Sequence, residues 1–379
     1  MRLSKQELRA VWERDRKTER RRLAVMLLIT LAVFLFCMCW RYNAYYFDEK
    51  FVPVAYFKSL LLALKLLPAR LAGNTDAGQK EIDAIGSILY LGAIARLRIT
   101  AMSLVSGAAL SVAGAIFQTA YRNPMASPNM IGATAGVQLG NVLVVMLYSG
   151  AAFEHIYLRY EFCYGMTILW VGVVLLLGKL AGDKRENYSI LEMIMAGSIV
   201  SQMLNVVTMY IMYNLEDEDL LLYQEINMGT YLQTDAVSMT IFFIVMGAAL
   251  LPVLTARYRL NAIGMDKMET VSLGINAGPL RIVGQLCGAA MVTCAMIHCG
   301  SVGMVSLVLP YIVRKVVGAD FRAVVVYSAL GGGILLMLCR LVTSFILIAD
   351  APIPVTFILN LVLMPAFMVI LAKRRSVYT

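Results

Sequence analysis

Ten apolar runs constrain the fold of this chain more than any other feature. Each is close to the length, about 17–25 residues, at which an α-helix crosses the hydrocarbon core of a bilayer. They lie near 23–40, 99–120, 133–151, 162–181, 189–212, 236–256, 282–300, 303–318, 323–346 and 354–372. Because 60% of the 379 residues are hydrophobic and only 15% are charged, a soluble enzyme is excluded. We predict an all-α integral membrane protein with ten transmembrane helices.

The distribution of Lys and Arg predicts the orientation of these helices. Nine basic side chains lie within residues 1–22, which we interpret as a cytoplasmic tail before a retained first helix at 23–40. Later loops on the same side are also basic, whereas the acidic run 216–219 lies in a loop on the opposite side, as the positive-inside rule requires. Both termini are therefore expected in the cytoplasm, with the chain crossing the membrane many times. No polar domain exists on which the net charge of +9 could bind nucleic acid.

Residues 41–83 are expected to form an extracytoplasmic loop. Within it, the segment 51–72 is apolar but is interrupted by Pro53, Lys58, Lys65 and Pro68. This pattern favours a helix that lies in the interface against membrane lipid over one that spans the bilayer. The remainder, 84–375, is predicted to form the core, with nine further transmembrane helices.

The chain offers little of the chemistry that an enzyme or an ion pump requires. Its seven Cys lie almost wholly in apolar runs and its only His are His155 and His298, so we predict no bound metal. It has no Gly-x-x-x-x-Gly-Lys-Ser/Thr loop, which predicts that it does not hydrolyse ATP by itself. Carboxylates are nearly absent from the runs and His298 is expected at the outer interface, which disfavours ion-coupled transport.

Four polar residues form a stripe on the fifth run. Ser198, Gln202, Asn205 and Thr208 follow one another at spacings of four, three and three, which places them on one face of a helix. They either hydrogen-bond to neighbouring helices or line a polar pathway through the membrane. We favour a pathway, because methionines with adaptable side chains flank the stripe.

Small residues indicate where helices approach each other closely. Gly132, Gly136 and Gly140 recur at four-residue spacing, and Gly107 and Gly114 lie seven apart on the preceding helix. Such faces lack side chains and allow a neighbouring helix to pack against the backbone. We interpret these glycines as packing positions.

Three arginines stand out from the cytoplasmic set. Arg340 lies well inside the ninth run, where a charge is costly and marks either a functional residue or a side chain that reaches back to the interface. Arg96 and Arg98 lie at the outer entrance of the second helix, where they could also serve as interfacial anchors.

Two sets of residues resemble the motifs of a transporter family. They comprise Gly107, Gly114, Gln118, Arg122, Asn123, Pro124 and Gly132, followed by Pro310 and Arg314. With these spacings the chain resembles the permeases of type II ABC importers, which carry iron–siderophore complexes, haem and vitamin B12. The resemblance covers about residues 84–375 and implies the fold of the vitamin B12 importer permease, with ten helices and both termini inside.

The resemblance also implies partners. Two separate ATPase subunits would hold ATP and Mg, so this chain would bind no cofactor itself. A second copy or a paralogue would enclose the path, and an extracytoplasmic substrate-binding protein would deliver an iron–siderophore complex, haem or cobalamin. The choice among these solutes, and between homodimer and heterodimer, stays open. An ion-coupled secondary transporter or channel for a small organic solute is the alternative.

Roles for individual residues follow from the same resemblance. The ATPases of the family grip the loop that corresponds to 257–281 here, which contains Asn261, Asp266, Glu269, Leu273 and Gly274. The binding proteins of the family dock on outer arginines, which correspond to Arg96 by position, to Arg340 by similarity, and to Arg98 as a replacement. The chain departs from the family pattern at Tyr311, where the family has His, and at 352–356.

Overall fold

A computed structural model describes residues 5–39, 58, 61–62, 65, 87–148, 156–181, 190–229, 236–264, 270, 272–348 and 351–375. In these ranges the chain forms twelve α-helices, one short 3-10 helix at Pro128–Ile131 and a ribbon of two antiparallel strands, β1 (Leu347–Ile348) and β2 (Ala351–Pro352). The first six helices are α1 (Lys5–Cys39), α2 (Ser87–Ala120), α3 (Ala133–Tyr148), α4 (Ile156–Ala181), α5 (Ile190–Tyr213) and α6 (Asp217–Met228). The others are α7 (Ala236–Thr255), α8 (Arg257–Ile263), α9 (Ala277–Cys299), α10 (Gly303–Val317), α11 (Phe321–Thr343) and α12 (Val355–Arg375).

The all-helical membrane fold is confirmed. Within the described ranges, seven helices are long and apolar enough to cross a bilayer: Thr18–Met38, Gly92–Ala120, Tyr157–Leu180, Glu192–Tyr213, Val237–Thr255, Ala277–Cys299 and Phe321–Thr343. Ala133–Tyr148 and Val355–Ile370 are apolar but shorter, and α10 has 15 residues. Each of the ten predicted runs coincides with a helix, whereas the number that spans the membrane, and the side on which the termini lie, stay predictions.

Several helices extend beyond their apolar runs. The basic tail and the first run form one helix, α1, and α2 begins at Ser87, well before the predicted start at 99. Arg96 and Arg98 interrupt the apolar pattern there, but Arg has a high helix propensity and does not end a helix. The acidic run 216–219 lies between α5 and α7, and its last three residues form the first turn of the short helix α6, where carboxylates are stabilised by the helix dipole. The predicted interfacial helix at 51–72 lies outside the described residues except for four isolated positions.

Helix α2 is the centre of the bundle. It packs against α9, α10 and α11, and 78% of its spanning window is buried, against 11% for the peripheral α1. A Cβ atom at Gly107 would meet the backbone of Gly332 on α11, and one at Gly114 would meet the carbonyl of Ser306 on α10. Helices α3 and α4 likewise cross where a Cβ at Gly140 would lie 2.6 Å from Cα of Cys163. These positions therefore set the distances between helix backbones.

Candidate translocation pathway and coupling network

The polar stripe of α5 turns from the surface into the protein. Ser198 and Gln202 are exposed, Asn205 is half-buried and Thr208 is buried. The reason is geometrical: at 3.6 residues per turn, ten residues rotate the helix face by about 80° from its starting direction. The Ser198 hydroxyl donates to the Met195 carbonyl of its own helix at 2.8 Å, so it does not join neighbouring helices. The exposed part of the stripe is thus Ser198 and Gln202.

A second polar group, which sequence analysis did not identify, lies beside this stripe. Asn129 is exposed on the 3-10 helix between α2 and α3. Its side-chain Oδ1 accepts from the Thr134 hydroxyl at 2.7 Å. The Ser201 hydroxyl of α5 lies 2.8 Å from the Asn129 carbonyl and 2.8 Å from the Gly197 carbonyl of its own helix, and shares its proton between these two acceptors. Gln138 donates to the Ser301 hydroxyl at 3.3 Å. The only sequence signal for Asn129 was its place between two motif residues, Pro124 and Gly132.

The motif residues Gln118 and Arg314 meet where α2 crosses α10. The Arg314 guanidinium donates through Nε to Gln118 Oε1 at 3.2 Å, and through Nη2 to the Thr119 hydroxyl at 2.6 Å and the Ala115 carbonyl at 3.1 Å. Gln118 in turn donates to the Leu307 carbonyl at 3.0 Å. Pro310 lies within α10 between these contacts and is buried. The network joins two helices whose residues are almost 200 positions apart in the chain.

The residues that follow Gln118 in the same family motif contact the predicted coupling loop, 257–281. Arg122 has a positive φ of 50° and donates through Nε to the Ile263 carbonyl at the end of α8, at 3.1 Å. The Asn123 side chain accepts from the Met125 N–H at 2.9 Å, which shapes the turn that also includes exposed Pro124. Gly132 adopts a left-handed conformation with φ of 77° and ends the 3-10 helix before α3. The loop after α2 therefore rests on α8.

The coupling loop is tied to the bundle at a second point. Asn261 Oδ1 accepts from the Phe321 N–H at the start of α11, at 2.9 Å. The Thr270 hydroxyl donates to the Ala262 carbonyl at 2.9 Å, and Gly274 forms a turn with φ of 67° before α9. Leu273 is exposed, and Asp266 and Glu269 lie outside the described residues. The place of Asn261 in the coupling loop could be predicted from the sequence. Its partner Phe321 and the contacts of Ile263 and Thr270 could not.

The start of α11 is also held by a surface ion pair beside this contact. Asp320 caps the helix by accepting from the Arg322 N–H at 3.0 Å, and its carboxylate pairs with the Arg322 guanidinium at 2.6 Å. The hydrogen bond from Arg322 lowers the pKa of the Asp320 carboxyl below its usual value. Because both side chains are exposed, the pair adds little to stability.

The three outer arginines occupy different environments. Arg96 is buried, with 5% of its surface exposed, whereas Arg98 on the same helix is half-buried. Arg340 is half-buried, three residues before the end of α11. Their role in docking a binding protein stays a prediction; Arg98 and Arg340 are the two whose side chains are partly exposed.

A buried polar cluster between α3, α4 and α9 was not predicted. The Arg159 side chain donates to Asn141 Oδ1 at 3.0 Å, and the Cys163 thiol donates to the same oxygen at 3.2 Å. The Tyr160 hydroxyl contacts Nε2 of His298, which is buried in the last turn of α9, while its expected position at the outer interface stays a prediction. The helix end that carries His298 packs against protein, which its position in the sequence could not show. In the described part of the chain, no three His, Cys, Asp or Glu residues cluster in a way that could hold a metal ion.

The described residues form an apolar helix bundle, a polar surface without charged side chains, and a loop containing α8 that is hydrogen-bonded to the bundle. These features define a multi-pass membrane permease. A family model confirms this class over residues 78–373, and the chain belongs to the FecCD transport family. It is therefore an ABC transporter permease of the inner membrane and not an enzyme.

Several relatives are named for the solutes that their systems transport. The molybdate import system permease MolB of Haemophilus influenzae is 27% identical over 72% of this chain and 77% of its own length. The hemin transport system permease HmuU of Yersinia pestis is 26% identical over 74% and 83%, and the Fe(3+)-citrate import system permease YfmD of Bacillus subtilis is 25% identical over 83% and 95%. An inward-facing structure of an ABC transporter of the metal-chelate type has a TM-score of 0.72 at 22% identity, covering 93% of this chain and 99% of that one.

Proposed function

We propose that this chain is the permease of an ATP-driven importer that takes up a metal chelate, either an iron–siderophore complex or haem or cobalamin. A substrate-binding protein delivers the chelate from outside, and two ATPase subunits bind ATP and Mg on the cytoplasmic side. A second copy or a paralogue completes the path, and this chain holds no cofactor itself. The hemin and Fe(3+)-citrate systems to which two of the relatives belong support the choice of cargo.

The observation that carries this proposal is the double attachment of α8 to the bundle. Arg122, in the loop just after α2, donates to the Ile263 carbonyl, and Asn261 accepts from the Phe321 N–H. Helix α8 is therefore bonded both to the loop after α2 and to the start of α11. Arg314 then links the end of α2 to α10. If an ATPase displaced the loop 257–281, hydrogen bonds would thus transmit the movement to α2, α10 and α11.

The first test is assembly with an ATPase. We expect the chain, purified in mild detergent from its host, to retain two ATPase subunits and to import chelate into proteoliposomes only with ATP and the binding protein present. The control omits ATP and applies a proton or sodium gradient. Uptake driven by the gradient in vesicles that contain this chain alone would contradict the proposal and favour an ion-coupled carrier.

A second prediction concerns docking of the binding protein. The double variant Arg98→Glu/Arg340→Glu should weaken docking by about tenfold or more at low ionic strength, because Coulomb attraction between a basic and an acidic surface is least screened there. Surface plasmon resonance on the reconstituted complex measures the affinity. Arg322→Glu, an exposed charge reversal at the opposite end of α11, is the matched control and should leave docking unchanged. Equal affinity of the double variant and wild type would remove the docking role.

A further inference from the structure

The five residues Asn129, Thr134, Gln138, Ser201 and Ser301, here called the Asn129 wall, form two hydrogen-bonded groups of polar side chains, Asn129 with Thr134 and Ser201, and Gln138 with Ser301. They lie on the 3-10 helix, on α3, on α5 and in the turn between α9 and α10, and the Asn129 side chain lies beside Gly303, the first residue of α10. Hydrogen bonds of 2.7, 2.8 and 3.3 Å link Thr134 to Asn129, Ser201 to Asn129, and Gln138 to Ser301. Their side chains are amides and hydroxyls, none of which ionises at neutral pH.

This surface continues the exposed part of the α5 stripe. Ser201 lies between Ser198 and Gln202 in the chain, and both of these neighbours are exposed. Helix α5 reaches the 3-10 helix closely because Gly197 leaves room for the Met130 carbonyl. An exposed polar surface is costly against lipid tails, since its hydrogen-bonding groups lose their water without gaining partners. The wall therefore faces water or another protein surface within the membrane.

The orientation of the Asn129 amide leaves donors on this surface. Its Oδ1 is engaged by Thr134, and its carbonyl is engaged by Ser201. Its Nδ2 donates no hydrogen bond to another of the described residues. Two N–H bonds of an exposed side chain, held in place by Thr134, are thus directed to whatever passes the wall. Thr134 acts here as a positioning residue.

We propose that the Asn129 wall contacts the transported solute and selects a chelate that carries oxygen acceptors but no net charge. A bare metal ion or a free oxyanion would lose its hydration shell and gain only neutral dipoles at the wall, which costs free energy because no opposite charge replaces the water. A neutral chelate has less hydration to lose and needs only hydrogen bonds at its surface. This inference rests on the proposed function and narrows it, since the relatives carry molybdate and ferric citrate as well as haem.

The test compares probes of different charge in proteoliposomes that contain the full complex with its ATPases. The probes are a neutral ferric trihydroxamate chelate, ferric citrate and molybdate, each presented at saturating concentration with the binding protein. We expect the wild type to import the neutral chelate. Asn129→Leu, which removes the donors, and Asn129→Asp, which replaces them with a carboxylate, should each lower this uptake by about tenfold.

Asn214 provides matched controls, because it is also an exposed asparagine near the end of α5 and its amide donates to the Tyr210 carbonyl of its own helix. Asn214→Leu and Asn214→Asp should change uptake less than about twofold. Light scattering of each variant reports its oligomeric state, and size-exclusion profiles report folding.

The outcomes separate this inference from the proposed function. Wild-type import of ferric citrate or molybdate in preference to the neutral chelate, or no import of the neutral chelate at all, overturns the inference while ATP-driven import can still stand. Unchanged uptake in Asn129→Leu also overturns it, and so does loss of uptake together with a changed oligomeric state, which assigns the wall to a subunit contact. Failure to retain an ATPase overturns the proposed function instead.

Discussion

Gly114→Val should prevent accumulation of the folded permease. The backbone of α2 lies against α10 at this point, and the first side-chain carbon at residue 114 would overlap the Ser306 carbonyl oxygen. Overpacking of a core costs about 1–3 kcal/mol even when side chains can move aside. Here the obstacle is a helix backbone, so the two helices would have to separate.

The separation would also reach the motif network, because Gln118 lies one turn after Gly114 and bonds to Arg314 and Leu307 across the same crossing. We expect about a tenfold or greater loss of the monodisperse peak in fluorescence-detected size-exclusion chromatography, since native stability is only about 5–15 kcal/mol. Gly172→Val on α4 is the matched control, because no atom lies within 4 Å of a Cβ there. Equal accumulation of both variants would show that the crossing tolerates a side chain.

Asn261→Leu should uncouple ATP hydrolysis from transport while the permease stays folded. The substitution removes the acceptor of the Phe321 N–H and so the bond between α8 and α11. An unpaired backbone donor costs about 1–3 kcal/mol, and each 1.4 kcal/mol corresponds to a factor of ten. We therefore expect transport in proteoliposomes to fall by about tenfold or more at an unchanged amount of bound ATPase.

Arg322→Gln is the control for this variant. It lies one residue after Phe321 and removes the exposed pair with Asp320 and a cation–π contact with Tyr258 of α8, 5.3 Å from the ring centroid, while the bond between Asn261 and Phe321 stays in place. Because exposed contacts of this kind contribute little, the variant should retain transport. Two results would contradict the coupling role of Asn261. Full transport by Asn261→Leu would show that the bond carries no displacement, and loss of the ATPase from the complex would show that Asn261 serves attachment.

The helices could be predicted from the sequence because a bilayer imposes a simple requirement on each of them. Every one of the ten apolar runs coincides with a helix, since backbone groups in lipid must be paired within the segment. The boundaries were less well predicted, as at α1 and α2, because charged residues end an apolar run without ending a helix. Arg96 shows this directly, because α2 begins at Ser87 and Arg96 therefore lies within the helix and not at its start, with its side chain buried.

The candidate site was predicted only in part. Gln118, Arg122, Asn261 and Arg314 stood out from their spacing, yet nothing in their order along the chain showed that they form one network. The stripe of α5 was placed on one face by its spacing, but the helix rotation buries Thr208 and leaves Ser198 exposed. Asn129 carried no signal beyond its place between Pro124 and Gly132, and Arg159 carried none, because their partners come from other helices.

The sequence by itself determined that this chain lies in a membrane, where its helices fall and which family it resembles, because hydrophobicity and motif spacing are local properties of the chain. Only the tertiary structure decided which polar groups meet. The contact of Asn261 with Phe321 and that of Arg314 with Gln118 join residues 60 and 196 positions apart. Such contacts depend on how closely glycine-lined helices cross, and that distance is set by packing across the whole bundle.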